Sequence, residues 1–285
     1  VETGLRSSLF TTPAMREALS DASRIAAMLA FEAALARAEA DAGVIPLHAG
    51  EAIEEACRTF AADVGALAAA TRTAGNPAIP LVRALTAHCR EPGRGWVHWG
   101  ATSQDVIDTA ASLVGRRAAS LLDDDLVHLC DGLAVLATAH RDTVMAGRTL
   151  LQPALPVTFG FKVAQWLDMA MRCRARLSEA AGAACILQFG GAVGTLAALG
   201  ASAEAVRNTL GRLLDLPVPL LAWHTSRDRI ARLGCELAVL TGALAKIAGD
   251  IALLMQAEVG EAFEPAAPDK GGSSTMPQKR NPVAG

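Results

Sequence analysis

Ile230-Ala231-Arg232-Leu233-Gly234-Cys235-Glu236-Leu237-Ala238-Val239-Leu240-Thr241-Gly242-Ala243-Leu244-Ala245-Lys246-Ile247-Ala248-Gly249-Asp250-Ile251-Ala252-Leu253-Leu254 is the stretch that decides the fold. Ile230, Leu233, Leu237, Leu240, Leu244, Ile247, Ile251 and Leu254 follow one another in alternating steps of three and four residues. That is the seam of a helix packed along its length against other helices. Drawn out from Ser226 to Gly260, it predicts a helix on the order of 50 Å long. A small domain cannot bury several helices of that length, so the spacing points to a long bundle shared between subunits.

Working outward, Leu122, Leu126, Leu129, Leu133 and Leu136 repeat the spacing, and His140 holds the next position on their stripe. Phe159, Val163, Trp166, Ala170, Cys173 and Leu177 repeat it again. Shorter helices precede them. Ser20 is placed to cap one that Gly43 ends, a second fits Glu51 to Thr71, and Asn76-Pro77 starts a third. Ser202 to Asp215 fits a further short helix, and no alternating strand pattern of any length occurs. The chain therefore reads as all-α. A smaller helical N-terminal domain is expected over residues 1–95, broken off at Glu91-Pro92-Gly93, and a central long-helix domain over residues 96–285.

The chain has 285 residues, 52% hydrophobic and 19% charged, which suffices for a sizeable core and excludes general disorder. The net charge is −3. That lacks the basic excess of a nucleic-acid or membrane-surface protein. No membrane span is expected. Val1 to Arg6 lacks the apolar run of a signal peptide. Cys57, Cys89, Cys130, Cys173, Cys185 and Cys235 form no Cys-x-x-Cys pair and read as reduced core residues of a cytoplasmic protein. The histidines show no metal-ligand spacing, and no metal or cofactor is expected.

Three stretches carry chemistry. The first is Gly271-Gly272-Ser273-Ser274-Thr275-Met276-Pro277-Gln278-Lys279-Arg280-Asn281-Pro282. Its glycines let backbone approach a ligand, its prolines forbid regular structure, and its hydroxyls, cations and amide suit a multiply charged anion. The second is His98-Trp99-Gly100-Ala101-Thr102-Ser103-Gln104-Asp105. Thr102 and Asp105 have the spacing of a capping box, and the helix start offers free N–H groups to an anion. The third is Gly147-Arg148-Thr149-Leu150-Leu151-Gln152-Pro153. By contrast, Gly190-Gly191-Ala192-Val193-Gly194 matches neither dinucleotide nor phosphate loops. Arg227-Asp228-Arg229 reads as a solvated helix start, and Arg172, Arg174 and Arg176 as surface charges.

These stretches together resemble the signature regions of the fumarase/aspartase superfamily. Its Gly-Ser-Ser-x-x-Pro-x-Lys-x-Asn motif is matched at Gly272, Ser273, Ser274, Pro277, Lys279 and Asn281. The resemblance implies that Ser273 is the general base on a mobile loop and that Lys279 and Asn281 hold substrate carboxylates. It implies that Thr102 and Ser103 bind a carboxylate, that His98 lies near the site, and that Thr149 and Gln152 hydrogen-bond the substrate. The superfamily usually carries histidine where this chain has Leu150, and leucine moves no proton. With the runs Trp96 to Asp105 and His140 to Thr149, that departure narrows the resemblance to the carboxymuconate-cycloisomerase branch, in which His140 is the candidate acid/base.

The implied reaction is a reversible lactonisation of a carboxylated muconate in aromatic degradation by the β-ketoadipate route. It uses a small polycarboxylate and needs neither metal nor redox cofactor. An adenylosuccinate-lyase-like elimination is the nearest alternative, and Leu150 speaks against it. A non-catalytic helical scaffold is another, opposed by the intact Ser273–Asn281 run. The superfamily assembles homotetramers whose sites draw on three subunits. The resemblance also implies a further helix and a small domain after Gly285, so the central domain is expected to be incomplete at its C-terminus.

Overall fold

The computed structural model describes residues 7–265, 267–268, 270–276 and 278–283. Val1 to Arg6, with the signal-peptide reading, and Pro277 of the Gly271–Pro282 stretch lie outside the described residues. The helices are α1 (Ser7–Phe10), α2 (Pro13–Ala18), α3 (Asp21–Asp41), α4 (Leu47–Thr59), α5 (Val64–Ala74), α6 (Ala78–His88), α7 (Ser103–Ala139), α8 (Phe159–Ala184), α9 (Ala203–Leu214) and α10 (Asp228–Leu254). A hairpin of β1 (Val144–Thr149) and β2 (Gln152–Thr158) joins α7 to α8. The all-α expectation holds, with this hairpin as its one addition among the described residues. Two prolines hid β2, and both are tolerated because a two-stranded ribbon has only edge strands.

The chain divides into two compact units, Val1–Leu121 with Ala181–Ala231, and Leu122–Ala180 with Arg232–Gly285. In the first, Ser20 caps α3 by accepting from the Ser23 amide, and Asn76 accepts from the Ile79 amide ahead of α6. The expected single helix from Glu51 to Thr71 is instead two. Phe60 packs toward the core, and Asp63 accepts from the Ala66 amide and opens α5, which is the position where an aspartate serves a helix best. Phe31, Leu35, Leu81, Val106, Leu187 and Leu210 form the main core, with Phe31 edge-on to Phe189 at 6.3 Å.

In the second unit, the stripes of α7, α8 and α10 meet. Leu126, Cys173, Leu177, Leu240 and Ala243 make one cluster. Leu133, Val163, Trp166, Ala170, Ile247 and Leu254 make the next. α10 ends at Leu254, so its 27 residues span about 40 Å, short of the length expected from the sequence. Its seam divides by column. Leu240, Ile247 and Leu254 are buried, whereas Ile230, Leu237 and Leu244 are 42%, 37% and 39% exposed. By length and composition α10 could also cross a membrane. Its charges, however, are paired along the bundle: Arg232 with Glu179, Glu236 with Arg176, Asp250 with Lys162. Of the six cysteines five are buried as expected, and Cys235 is exposed.

Candidate active site

In the first unit the expected residues lie at the start of α7. His98 and Gly100 both take positive φ, 63° and 68°, so the chain turns sharply before entering the helix. A side chain at Gly100 would put its Cβ 2.9 Å from Leu199 Cδ2, which leaves glycine as the residue that fits. The capping box forms in its reverse half. The Thr102 amide donates to Asp105 Oδ2 at 3.0 Å, while the Thr102 and Ser103 hydroxyls bond to no described residue and stay free for a ligand.

Asp105 does more than the sequence reading gave it. It is fully buried and accepts four hydrogen bonds, from the amides of Thr102, Gly190 and Gly191 and from Gln188 Nε2, all between 2.9 and 3.0 Å. Burial pushes its carboxyl above the ordinary value, against the four donors. The Gly190-Gly191 turn is thus a backbone strap laid on the α7 terminus. Gln188 extends the link by accepting from the Trp223 amide at 2.7 Å. Arg227 corrects the solvated reading: it forks onto Asp108 at 2.8 and 2.9 Å and stacks over Trp223.

Under the same turn lie two carboxylates that the sequence reading missed. Glu32 Oε1 meets His98 Nδ1 at 2.7 Å. Glu39, two helical turns along α3, is fully buried with both oxygens unpartnered among the described residues. Burial, then the charge of Glu32, pushes Glu39 up to about 9. For His98, burial opposes the charged ring, but the Glu32 hydrogen bond and the charges of Glu32 and Asp105 outweigh it and raise its titration. The signal that could have found them was present: acids seven residues apart among Met28, Phe31, Leu35 and Ala38, at core positions of an amphipathic helix.

The second unit carries the other expected residues. Thr149 and Gln152 pair across the hairpin end, with Leu150 and Leu151 between them at φ 48° and 65°. That is the left-handed geometry tight hairpins require, here adopted by two leucines that are 96% and 68% exposed. Arg148 forks onto Glu261 at 2.6 and 2.9 Å and ties the hairpin to the segment after α10. Thr149 and Lys162 line a cavity of about 710 Å³ beside the hairpin. His140 lines another, of about 690 Å³, with Glu261 and Phe263. It follows the last turn of α7, half-buried, with Nδ1 on Thr143 Oγ1 at 3.1 Å and its ring edge-on to Phe159.

The Ser273 loop closes on itself. The Asn281 amide donates to the Gly271 carbonyl at 2.8 Å, and Asn281 Nδ2 donates to the same oxygen at 3.2 Å. Gly271, at φ 68°, has no room for a Cβ, which would stand 2.4 Å from the Asn281 oxygen. Ser273 Oγ accepts from the amides of Thr275 and Met276 at 3.3 and 3.1 Å. Two donors on one hydroxyl oxygen lower the cost of negative charge there. Lys279 is exposed, and its ammonium bonds to no described residue. No hydrogen bond among the described residues joins this loop to His140 or to the hairpin tip.

A profile of the lyase family matches residues 9–285. The chain belongs to the fumarase/aspartase superfamily. Within that superfamily it is 52% identical, over 97% of its length, to a 3-carboxy-cis,cis-muconate cycloisomerase of Bradyrhizobium diazoefficiens, covering 62% of that relative. The crystal structure of the 3-carboxy-cis,cis-muconate lactonizing enzyme from Pseudomonas putida superposes with a TM-score of 0.91 at 48% identity, over 98% of this chain and 62% of that one. The cycloisomerase from Acinetobacter calcoaceticus gives 0.90 at 38% identity, over 98% and 63%. The chain thus spans 62–63% of the length of these fumarase/aspartase relatives.

Proposed function

We propose that the full-length protein is a 3-carboxy-cis,cis-muconate cycloisomerase of aromatic degradation by the β-ketoadipate route, acting in the cytoplasm. The observation that carries this reading is the 52% identity with one such enzyme along 97% of the chain. One substrate carboxylate oxygen adds across a double bond: a C–O bond forms, the C=C bond becomes single, and a proton joins the carbon beside another carboxylate. The attacking carboxylate gives up its charge as the ring ester forms, and the proton that balances it comes through an acidic group of the protein from water; no other co-reactant is needed. In reverse, a proton leaves the carbon α to a carboxylate, an aci-carboxylate forms, and the ring oxygen departs as carboxylate.

The residues present suit those steps. The free hydroxyls of Thr102 and Ser103, with the unpaired amides at the α7 start, suit one carboxylate. Lys279 supplies the charge that a dianionic intermediate requires. Ser273 is the base, helped by its two amide donors, and His140 is the second proton carrier, with Nε2 open. Thr149, Gln152 and Asn281 complete substrate binding, and His98 joins Thr102 and Ser103. The exposed column of α10 supports a homotetramer with sites shared between subunits.

The test is the ultraviolet absorbance of the conjugated diene. Full-length protein given 3-carboxy-cis,cis-muconate is expected to remove it and to leave adenylosuccinate untouched. Turnover of neither compound by the assembled protein would overturn this reading in favour of a scaffold.

A further inference from the structure

Two features of the first unit remain unexplained by substrate contacts: the buried carboxylates on α3 and the constrained turn above them. We propose that Glu32 is a positioning residue, whose buried carboxylate clamps Nδ1 of His98 and leaves Nε2–H as a fixed donor to a substrate carboxylate. The inference rests on the reading of this turn as a polycarboxylate site and deepens it.

The geometry is specific. His98 Nδ1 lies 2.7 Å from Glu32 Oε1, the acid is fully buried, and the imidazole is 18% exposed. Nε2 bonds to no described residue and is not sealed from solvent. One ring nitrogen is therefore committed inward, and the other is presented outward from the segment that carries Thr102 and Ser103. His98 stands at φ 63°, where a side chain other than glycine is strained, and Gly100 is wedged against Leu199.

The charges facing His98 come from each packed element: Glu32 and Glu39 on α3, Asp105 on α7, and His224 at 3.6 Å from Asp105. Glu39 has no donor to satisfy an anion and keeps its proton. Glu32, whose Oε1 takes the 2.7 Å contact with Nδ1, is then the acid placed to answer a proton on the ring. Replacing Glu32 by a neutral amide removes the hydrogen-bonded acid and leaves the more distant Asp105 as the charge that opposes desolvation, which disfavours the second proton on the ring. The result is one donor fewer facing an anion.

The experiment follows histidine side-chain nitrogen resonances of the full-length protein, with binding of tricarballylate as a simple tricarboxylate probe. In the parent protein His98 is expected to be doubly protonated at pH 7. In Glu32→Gln it is expected to be neutral at pH 7, with tricarballylate affinity down about tenfold and the gap narrowing as pH falls. KM for carboxymuconate should rise by a similar factor, with kcat within about twofold. A neutral His98 in the parent protein overturns the proposal, and that measurement requires no variant to fold. So does a parent that fails to bind tricarballylate, or a Glu32→Gln protein with neutral His98 and undiminished affinity. A parent that binds tricarballylate through a charged His98 yet never turns over carboxymuconate sinks the enzymatic reading alone.

Discussion

Glu39→Gln should make the protein more stable at neutral pH, by an amount that grows with pH. Glu39 is fully buried, both its oxygens lack partners, and its titration is pushed from 4.5 to about 9. A carboxyl raised on folding favours the folded state in its protonated form. Its contribution is whole below the unfolded value and is lost as pH rises toward the folded one. At pH 7 the unfolded chain gains about 2.5 pH units of ionisation that the folded chain forgoes, or about 3 kcal/mol. At pH 5.5 the same reckoning gives about 1.4 kcal/mol. Glutamine fills nearly the same volume and does not titrate, and an unpartnered amide costs about what the neutral acid does. Urea unfolding of full-length parent and variant at both pH values measures the difference. A variant whose advantage is absent at pH 7, or equal at the two pH values, would refute the account of Glu39 as a stored neutral acid.

Other outcomes follow from the same contacts. Asp105→Asn presents one carbonyl oxygen and one amide to four donors; it should cost about 2–3 kcal/mol in urea unfolding and speed amide exchange at Gly190 and Gly191. Ser273→Ala should lower turnover by a factor of about 100 or more while the melting temperature stays put, since the residue lies outside the core. Arg148→Met frees the hairpin from Glu261, and because that pair is about a quarter exposed the stability loss should stay below about 1 kcal/mol, with the larger effect on KM. Replacing Leu150-Leu151 by Asn-Gly relieves two left-handed leucines and should raise subunit stability by about 1–2 kcal/mol in urea unfolding.

The heptads of α7, α8 and α10 were legible because period and residue type agreed along their whole length. The hairpin was not, since Pro153 and Pro156 argue against a strand unless it has a free edge. Thr102, Ser103 and Ser273 could be singled out as candidates because their hydroxyls sit in punctuated, glycine-flanked stretches. Asp105 was visible only as a cap, because three of its four donors come from residues 188–191, more than 80 residues further along the chain. Glu32 and Glu39 were hidden differently. Acids on a helix are ordinarily solvated, and only their place in the pattern of Met28, Phe31, Leu35 and Ala38 marked them as interior. Gln188, which joins Asp105 to Trp223, left no mark short of the fold itself.

The two columns of α10 have separate fates. Leu240, Ile247 and Leu254 answer to α7 and α8, so drift there is felt inside the subunit at once. Ile230, Leu237 and Leu244 are only partly covered by the described chain. A lineage could therefore repaint that strip, polar or differently shaped, and inherit an intact protomer with new company or none.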